Sequence, residues 1–299
     1  MADVMDHFGP FVSFNTITRF RGIIACLVLS VAYVASLYVL KSPYPRDHPK
    51  TIKQRFRSVF VISLLAPLYV WLWADRSLDY NGISLWKYMG IHSENIFIAT
   101  LFPLVLTLIL FLGPIILLYF SGDPGNVKGF LEYPSSWVNA INLRNYLVAP
   151  LTEELVYRAC LVPLLVPGFG NAMPIFISPL FFGVAHIHHV IERLQQGENP
   201  KDVWSTAIFQ FGYTTVFGGY TAFLFLRTGH LIGPVLCHSF CNFMGFPPLD
   251  QVPSSKYPRI ISASFVAGLV VFLILAVPLT NPVWYNSVYY SLQANDGGE

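Results

Sequence analysis

The sequence predicts an all-α, polytopic membrane helix bundle, and three observations lead to this fold class. Charged residues make up only 11% of the 299-residue chain, whereas soluble domains carry about 25%. Hydrophobic residues make up 54%, and the mean hydropathy is +0.55. The third observation is a series of long apolar stretches. A chain with so few charges cannot cover a water-facing surface, so its surplus apolar surface must face lipid.

Eight apolar stretches approach the length of about 20 residues that a helix needs to cross a bilayer. They are Gly22–Leu40, Ser58–Ala74, Ile96–Phe120, Tyr146–Val166, Met173–Val190, Val203–Leu226, Leu231–Phe246 and Ile260–Leu279. The first exceeds the apolar core of a signal peptide, and no small-residue cleavage site follows it, so we interpret it as a retained span. One membrane domain over residues 1–299 is the simplest organisation. The aromatic residues after the last span (Trp284, Tyr285, Tyr289 and Tyr290) are predicted to lie at the membrane interface.

The basic residues predict an orientation. If the eight spans alternate in direction, 12 of the 18 Lys and Arg residues fall on one side of the membrane and five on the other, with Arg158 inside a span. The richer side is then cytosolic and the N-terminus is not. Half of these 12 residues come from the loop Lys41–Arg57. No basic block has interleaved aromatic residues, so no nucleic-acid partner is expected. The four cysteines (Cys26, Cys160, Cys237 and Cys241) are interpreted as packing residues.

Three of the predicted spans carry Glu, Arg, His or Asn side chains, which are costly in lipid and therefore mark candidate functional positions. Glu154 and Arg158 in the fourth span share a helix face at i, i+4 and can pair, whereas Glu153 is rotated by about 100°. The alternative is that these charges only hold helices together. The fifth span ends in His186, followed by His188 and His189, for which an interfacial position is preferred.

The seventh span places His238 and Asn242 on one helix face. Such residues often do no more than bond a neighbouring helix. The depth of these residues in the membrane favours a functional role. At about 1.5 Å per residue, Glu153, His186 and His238 lie roughly 10, 6 and 12 Å from the same membrane face. The carboxylate, the two imidazoles and the amide are therefore predicted to share one layer, in the cytosolic half of the membrane.

These groups suit hydrolysis by an activated water. A Glu and a His can take a proton from water, while a His and an Asn stabilise the developing oxyanion. The surroundings of a serine or cysteine nucleophile and the HExxH motif are absent from the sequence. Two alternatives remain open: a zinc enzyme with Glu153, His186 and His238 as ligands, and a proton-coupled transporter.

The pattern Glu153-Glu154…Arg158, Phe182…His186 and His238…Asn242 resembles the type II CAAX prenyl endopeptidases of the wider CPBP (Abi) family of membrane proteases. The run Thr228–Pro234 before His238 is also similar. The resemblance is specific across Thr152–Asn242, within a motif region of residues 146–246. Outside this region only the hydropathy agrees, with eight spans as in the family.

The resemblance implies an endopeptidase of the endoplasmic reticulum membrane that acts on farnesylated or geranylgeranylated CaaX proteins and opens to the cytosol. It further implies that Glu153 and His186 activate water and that His238 and Asn242 hold the oxyanion. Glu154, Arg158 and Phe182 would support the site. No cofactor and no metal are expected.

Overall fold

A computed structural model describes residues 10–76, 83–121 and 138–291. Helices make up most of these residues, which confirms the predicted all-α membrane bundle. The helices other than the central one are α1 (Arg19–Val39), α2 (Pro49–Trp73), α3 (Leu85–Tyr88), α4 (Ile96–Leu110), α5 (Leu112–Ser121), α7 (Pro174–Ala185), α8 (His188–Gln195), α9 (Pro200–Thr228), α10 (Ile232–Met244), α11 (Pro258–Leu279) and α12 (Pro282–Tyr285). A 3₁₀ turn at Leu249–Gln251 precedes α11.

The central helix, α6, covers residues 140–169 as one continuous helical run. Its α-helical pieces (Ala140–Leu143, Ala149–Glu154 and Leu161–Phe169) are separated by two π-helical pieces, Arg144–Val148 and Leu155–Cys160. Single π-helical turns inside longer helices are frequent at functional sites. Every residue from 156 to 165 is buried, so the second half of α6 forms the centre of the core.

Glycines let other helices approach closely at two places. A Cβ on Gly22 of α1 would lie 2.5 Å from the Leu164 carbonyl oxygen of α6. A Cβ on Gly183 of α7 would lie 2.6 Å from Thr215 Oγ1 of α9. A Cβ at Gly22 would therefore collide with the backbone of α6, and a Cβ at Gly183 would collide with the Thr215 and Phe211 side chains, so both positions favour glycine.

A small antiparallel sheet, which the sequence did not predict, lies before and after the first two helices. Its strands are β1 (Phe11–Ser13), β2 (Asp75–Arg76) and β3 (Ile83–Ser84), in the order β2-β1-β3. Val12 of β1 is opposite Arg76 on one side and Ile83 on the other. The sheet therefore ties the segment before α1 to the connection between α2 and α3.

Up to five of the eight predicted spans are long and apolar enough in the structure to cross a membrane. Four helical segments are long and apolar enough to span a membrane: α1, α2, Pro174–Gln195 and α11. The pair α4 and α5 makes a fifth if it is one span, bent by 60°. Pro114 explains the bend, because in a continuous helix its ring would clash with the carbonyl oxygen of Leu110, four residues earlier.

The other three predicted spans do not meet the same test, so the count of eight stays a prediction. They are α6, α9 and α10, and α6 and α10 carry the ionisable motifs of the sequence. Polar side chains lower their hydropathy, and the 13 residues of α10 extend only about 20 Å. Lys128, one of the twelve basic residues behind the predicted orientation, lies outside the described residues.

The predicted aromatic interface after α11 is wrong for two of its four residues. Tyr285 and Tyr289 are fully buried, whereas Trp284 is exposed. The Tyr289 hydroxyl donates to the Tyr88 carbonyl oxygen, and the Tyr289 carbonyl accepts from Asn171 Nδ2 at 2.5 Å. The chain after α11 therefore folds back against the core.

Candidate active site

A cavity of about 1040 Å³ opens between α1, α2, α6, α7, α9 and α10, and the junction of α4 and α5 and the helix α11 complete its wall. The four predicted catalytic residues all line it: Glu153 from α6, His186 from the end of α7, and His238 and Asn242 from α10. Phe182 lines it as well. The structure thus brings together the side chains that the depth argument placed in one layer.

Glu154 and Arg158 lie beneath this cavity and form the ion pair expected from their spacing. Glu154 Oε2 is 3.1 Å from Arg158 Nε, and both side chains have no exposed surface. The Arg158 guanidinium also lies over the Phe182 ring, 4.7 Å from its centroid. Cation–π contact of this kind is favourable where water is excluded. Phe182 therefore covers the buried cation and separates it from the cavity.

Glu154 has a second partner that the sequence did not reveal. Its Oε1 lies 2.8 Å from His238 Nδ1, a distance at which the ring N–H donates to the carboxylate. One carboxylate thus joins Arg158 on its own helix to His238 on α10. This contact fixes the orientation of the imidazole and directs Nε2 into the cavity.

Glu153 faces the other side of the same imidazole. Its Oε2 lies 3.8 Å from His238 Nε2, and 21% of its side chain is exposed, against 6% for His238. The rings of Phe182 and Phe217 lie 6.0 and 5.0 Å from the His238 ring. The two adjacent glutamates therefore occupy different environments, one sealed and one in contact with the cavity.

His186 directly follows α7, and its carbonyl oxygen accepts a hydrogen bond of 3.1 Å from the His189 N–H in α8. Its Nδ1 lies 2.8 Å from the Phe182 carbonyl oxygen. Donation by Nδ1–H leaves Nε2 as an acceptor. His188 and His189, expected at the interface, line the same cavity, and His189 Nδ1 lies 3.3 Å from Glu192 Oε2.

Asn242 is anchored to the beginning of α6. Its Nδ2 donates to the Asn145 carbonyl oxygen at 2.9 Å, and Ser239 Oγ donates to the Tyr146 carbonyl oxygen at 2.5 Å. These two hydrogen bonds hold α10 against the beginning of α6. They therefore fix the position of His238, which directly precedes Ser239. The Asn242 amide keeps one N–H for another acceptor.

Sequence reasoning missed several residues that line the cavity. Tyr33 of α1 shares a hydrogen bond of 3.0 Å with Thr152 Oγ1, next to Glu153. Arg46, Arg55 and Arg144 lie at the polar end of the cavity. Two of them, Arg46 and Arg55, belong to the Lys41–Arg57 segment, whose charge indicated only an orientation in the membrane. Within the described ranges, no three His, Cys, Asp or Glu side chains are grouped as metal ligands.

Comparison with known proteins adds the family. Residues 135–244 match the family model described as type II CAAX prenyl endopeptidase Rce1-like. The chain is 50% identical over 275 residues to human CAAX prenyl protease 2, covering 89% of this chain and 83% of that protein. It is 44% identical to the rat protein of the same name (89% and 82% covered) and 31% identical to the Arabidopsis thaliana one (91% and 93%). No solved structure matches.

The fold is a helical membrane bundle around a cavity lined with carboxylate, imidazole and amide groups. Together with the similarity to these relatives, it defines a membrane-embedded peptidase. The matched relatives are named as proteases, which gives no support to the transporter or zinc alternatives. The chain belongs to the Rce1-like type II CAAX prenyl endopeptidases.

Proposed function

We propose that the protein hydrolyses the peptide bond after the prenylated cysteine of a C-terminal CaaX sequence and releases the last three residues. The observation that carries this proposal is the convergence of Glu153, His186, His238 and Asn242 on one cavity, with Glu153 and His238 3.8 Å apart. The relatives' names supply the substrate class, a prenylated CaaX protein, and the family resemblance implies that the prenyl group is farnesyl or geranylgeranyl.

Glu153 acts as the general base. It is the carboxylate that contacts the cavity, and both oxygens of a carboxylate accept hydrogen bonds from water. His186 offers Nε2 as a second acceptor for the same water. As the water oxygen attacks the scissile carbonyl carbon, one water proton passes to Glu153. Collapse of the tetrahedral intermediate breaks the C–N bond, and that proton is delivered to the leaving amine.

His238 and Asn242 stabilise the oxyanion. Asn242 donates its remaining N–H, and His238 donates from Nε2. Because Nδ1–H is already bonded to Glu154, donation from Nε2 requires the imidazolium form. The Glu153 and Glu154 carboxylates lie 3.8 and 2.8 Å from the two ring nitrogens of His238, so a cationic ring would have a counterion on each side.

The cavity walls suit a lipidated peptide. One side is apolar, with Phe111, Phe217, Phe265 and Leu269 among its lining residues, and a prenyl chain is stabilised by about 0.8 kcal/mol per buried methylene. The other end is basic. We place this basic end at the cytosolic face of the endoplasmic reticulum membrane, because the Lys/Arg asymmetry favours it and the family resemblance implies that membrane.

The test compares a farnesylated CaaX peptide with its unprenylated form, using purified protein in detergent and mass analysis of the products. We expect loss of the terminal tripeptide from the prenylated peptide only. Glu153→Gln should lower the rate by about 10²–10⁴-fold, as loss of a general base does. Glu198→Gln is the matched control, because Glu198 pairs with Arg193 at the surface. Equal cleavage of both peptides, or near-normal activity of Glu153→Gln, would refute the proposal.

A further inference from the structure

The basic end of the cavity has three arginines (Arg46, Arg55 and Arg144) but only two carboxylates in ion pairs with them among the described residues. Arg55 pairs with Glu192 at 2.6 Å, and Arg144 pairs with Asp47 at 2.7 Å. The closest polar contact recorded for Arg46 is His189 Nδ1, at 3.5 Å from its Nη1. Among the described residues, Arg46 has no carboxylate within ion-pair distance. Its guanidinium faces the cavity without a fixed counterion.

The distance from this cation to the site fits the product of the reaction. Arg144 precedes Glu153 by nine residues on α6, or about 14 Å along the helix axis. Asp47 pairs with Arg144 and follows Arg46 directly in the chain, so Arg46 lies at the same end of the cavity. An extended tripeptide spans about 10–11 Å, and an arginine side chain covers the remainder.

We infer that Arg46 binds the free α-carboxylate of the substrate's last residue. The inference rests on the proposed function, because only a cut three residues from the C-terminus puts a carboxylate at this distance from Glu153. A planar guanidinium forms two parallel hydrogen bonds with a carboxylate. Arg55 and Arg144 are held by their own carboxylates, so they shape the end of the cavity and leave Arg46 for the substrate.

The arrangement measures the length of the tail. With the carboxylate held at Arg46 and the prenyl chain in the apolar part of the cavity, the third peptide bond from the end lies beside Glu153. A tail that is one residue longer puts either the carboxylate or the scissile bond out of place by about 3.5 Å. Arg46 is thus a specificity-determining residue for the position of the cut.

The test compares wild-type enzyme with Arg46→Gln on two prenylated peptides. One peptide ends in the free acid and the other in the C-terminal amide. Wild-type enzyme should cleave the acid with kcat/KM about 10–100-fold higher than the amide, mainly through KM. In Arg46→Gln this preference should collapse to about threefold or less. Arg57→Gln, an exposed arginine of the same basic segment outside the cavity, is the matched control and should keep the full preference.

Equal cleavage of acid and amide by the wild-type enzyme would overturn the inference and leave the endopeptidase function standing. So would an acid preference that Arg46→Gln retains in full. The wild-type comparison decides the question even if the variant fails to fold. Cleavage of neither prenylated peptide by the wild-type enzyme would instead refute the proposed function, and this inference with it.

Discussion

Replacing Glu154 should damage both the fold and the reaction, whereas replacing its neighbour Glu153 should damage only the reaction. Glu154→Ala removes the counterion of Arg158 and the hydrogen-bond partner of His238 in one step. Both contacts are short, at 3.1 and 2.8 Å, and the Glu154 and Arg158 side chains are fully buried. Arg158 has no other carboxylate within ion-pair distance in the part of the chain that the structure describes.

The expected loss of stability in Glu154→Ala follows from the absence of a second partner for Arg158. At 3.1 Å and an effective dielectric constant of about 20, the attraction between the two charges is about 5 kcal/mol. Desolvation offsets part of it in the intact pair, but an arginine left alone keeps its full desolvation cost. Breaking a buried pair from one side costs about 3–5 kcal/mol. That is a large share of a typical unfolding free energy of about 5–15 kcal/mol.

The double variant Glu154→Ala with Arg158→Leu separates the two roles of Glu154. Removing the stranded cation should restore most of the lost stability, because an apolar pair tolerates burial. Activity should stay low, because His238 still lacks the carboxylate that orients Nδ1. Glu153→Gln should melt close to wild type, since among the described residues its partly exposed side chain has one polar contact, at 3.8 Å from His238 Nε2.

The assay is thermal unfolding in detergent together with peptide-cleavage rate, measured on the same purified samples of all four proteins. A Glu154→Ala variant as stable as wild type would refute the buried-pair reasoning. A double variant that is both stable and fully active would refute the orienting role of Glu154. Either result would require a different account of why two adjacent glutamates precede Arg158.

Three further predictions concern orientation, metal and packing. Cysteines placed in Lys41–Arg57 should be labelled by an impermeant reagent in sealed microsomes; labelling only after the membrane is opened would reverse the predicted orientation. Elemental analysis of active, chelator-washed protein should find no stoichiometric metal, and one zinc per chain whose removal and return switches activity would favour a metallopeptidase. Gly218→Ala should cost about 1–3 kcal/mol of stability by overpacking, because its Cβ would lie 3.0 Å from both Arg158 Nη2 and Pro179 Cβ. Gly212→Ala, with nothing within 4 Å of the added Cβ, is its control in thermal unfolding, and equal melting of the two would contradict the packing argument.

Residues that depend on helical spacing and depth were predictable from the sequence. The Glu154–Arg158 pair follows from i, i+4 spacing, and the shared layer of Glu153, His186 and His238 follows from counting residues along alternating spans. Both rest on local geometry that an apolar segment imposes on itself. The roles of these residues stay a prediction until the variants are measured.

Contacts between distant segments were not predictable. The sequence does not reveal that His238 reaches Glu154, because the rotation of α10 about its axis is set by bonds such as Ser239 to Tyr146. Nor does it reveal that Arg46 faces the cavity, because loop arginines near a membrane most often face water. Tyr289 was placed at the interface on composition alone, whereas its hydroxyl satisfies the carbonyl of Tyr88 in the core.

The central helix α6 has two unlike halves, and the proposed reaction places different demands on them. Water must reach Glu153, which the sequence places partway into the bilayer, yet a continuous column of water across a membrane lets protons leak down their gradient. Beyond Arg158 the helix presents Leu161, Leu164 and Leu165, all without exposed surface, and Gly22 of α1 closes against Leu164. The first half of α6 thus lines the cavity, and residues 156 to 165 in its second half are buried. On the proposed mechanism, this division would confine water to one side of the site and keep the rest of the bundle closed to ions.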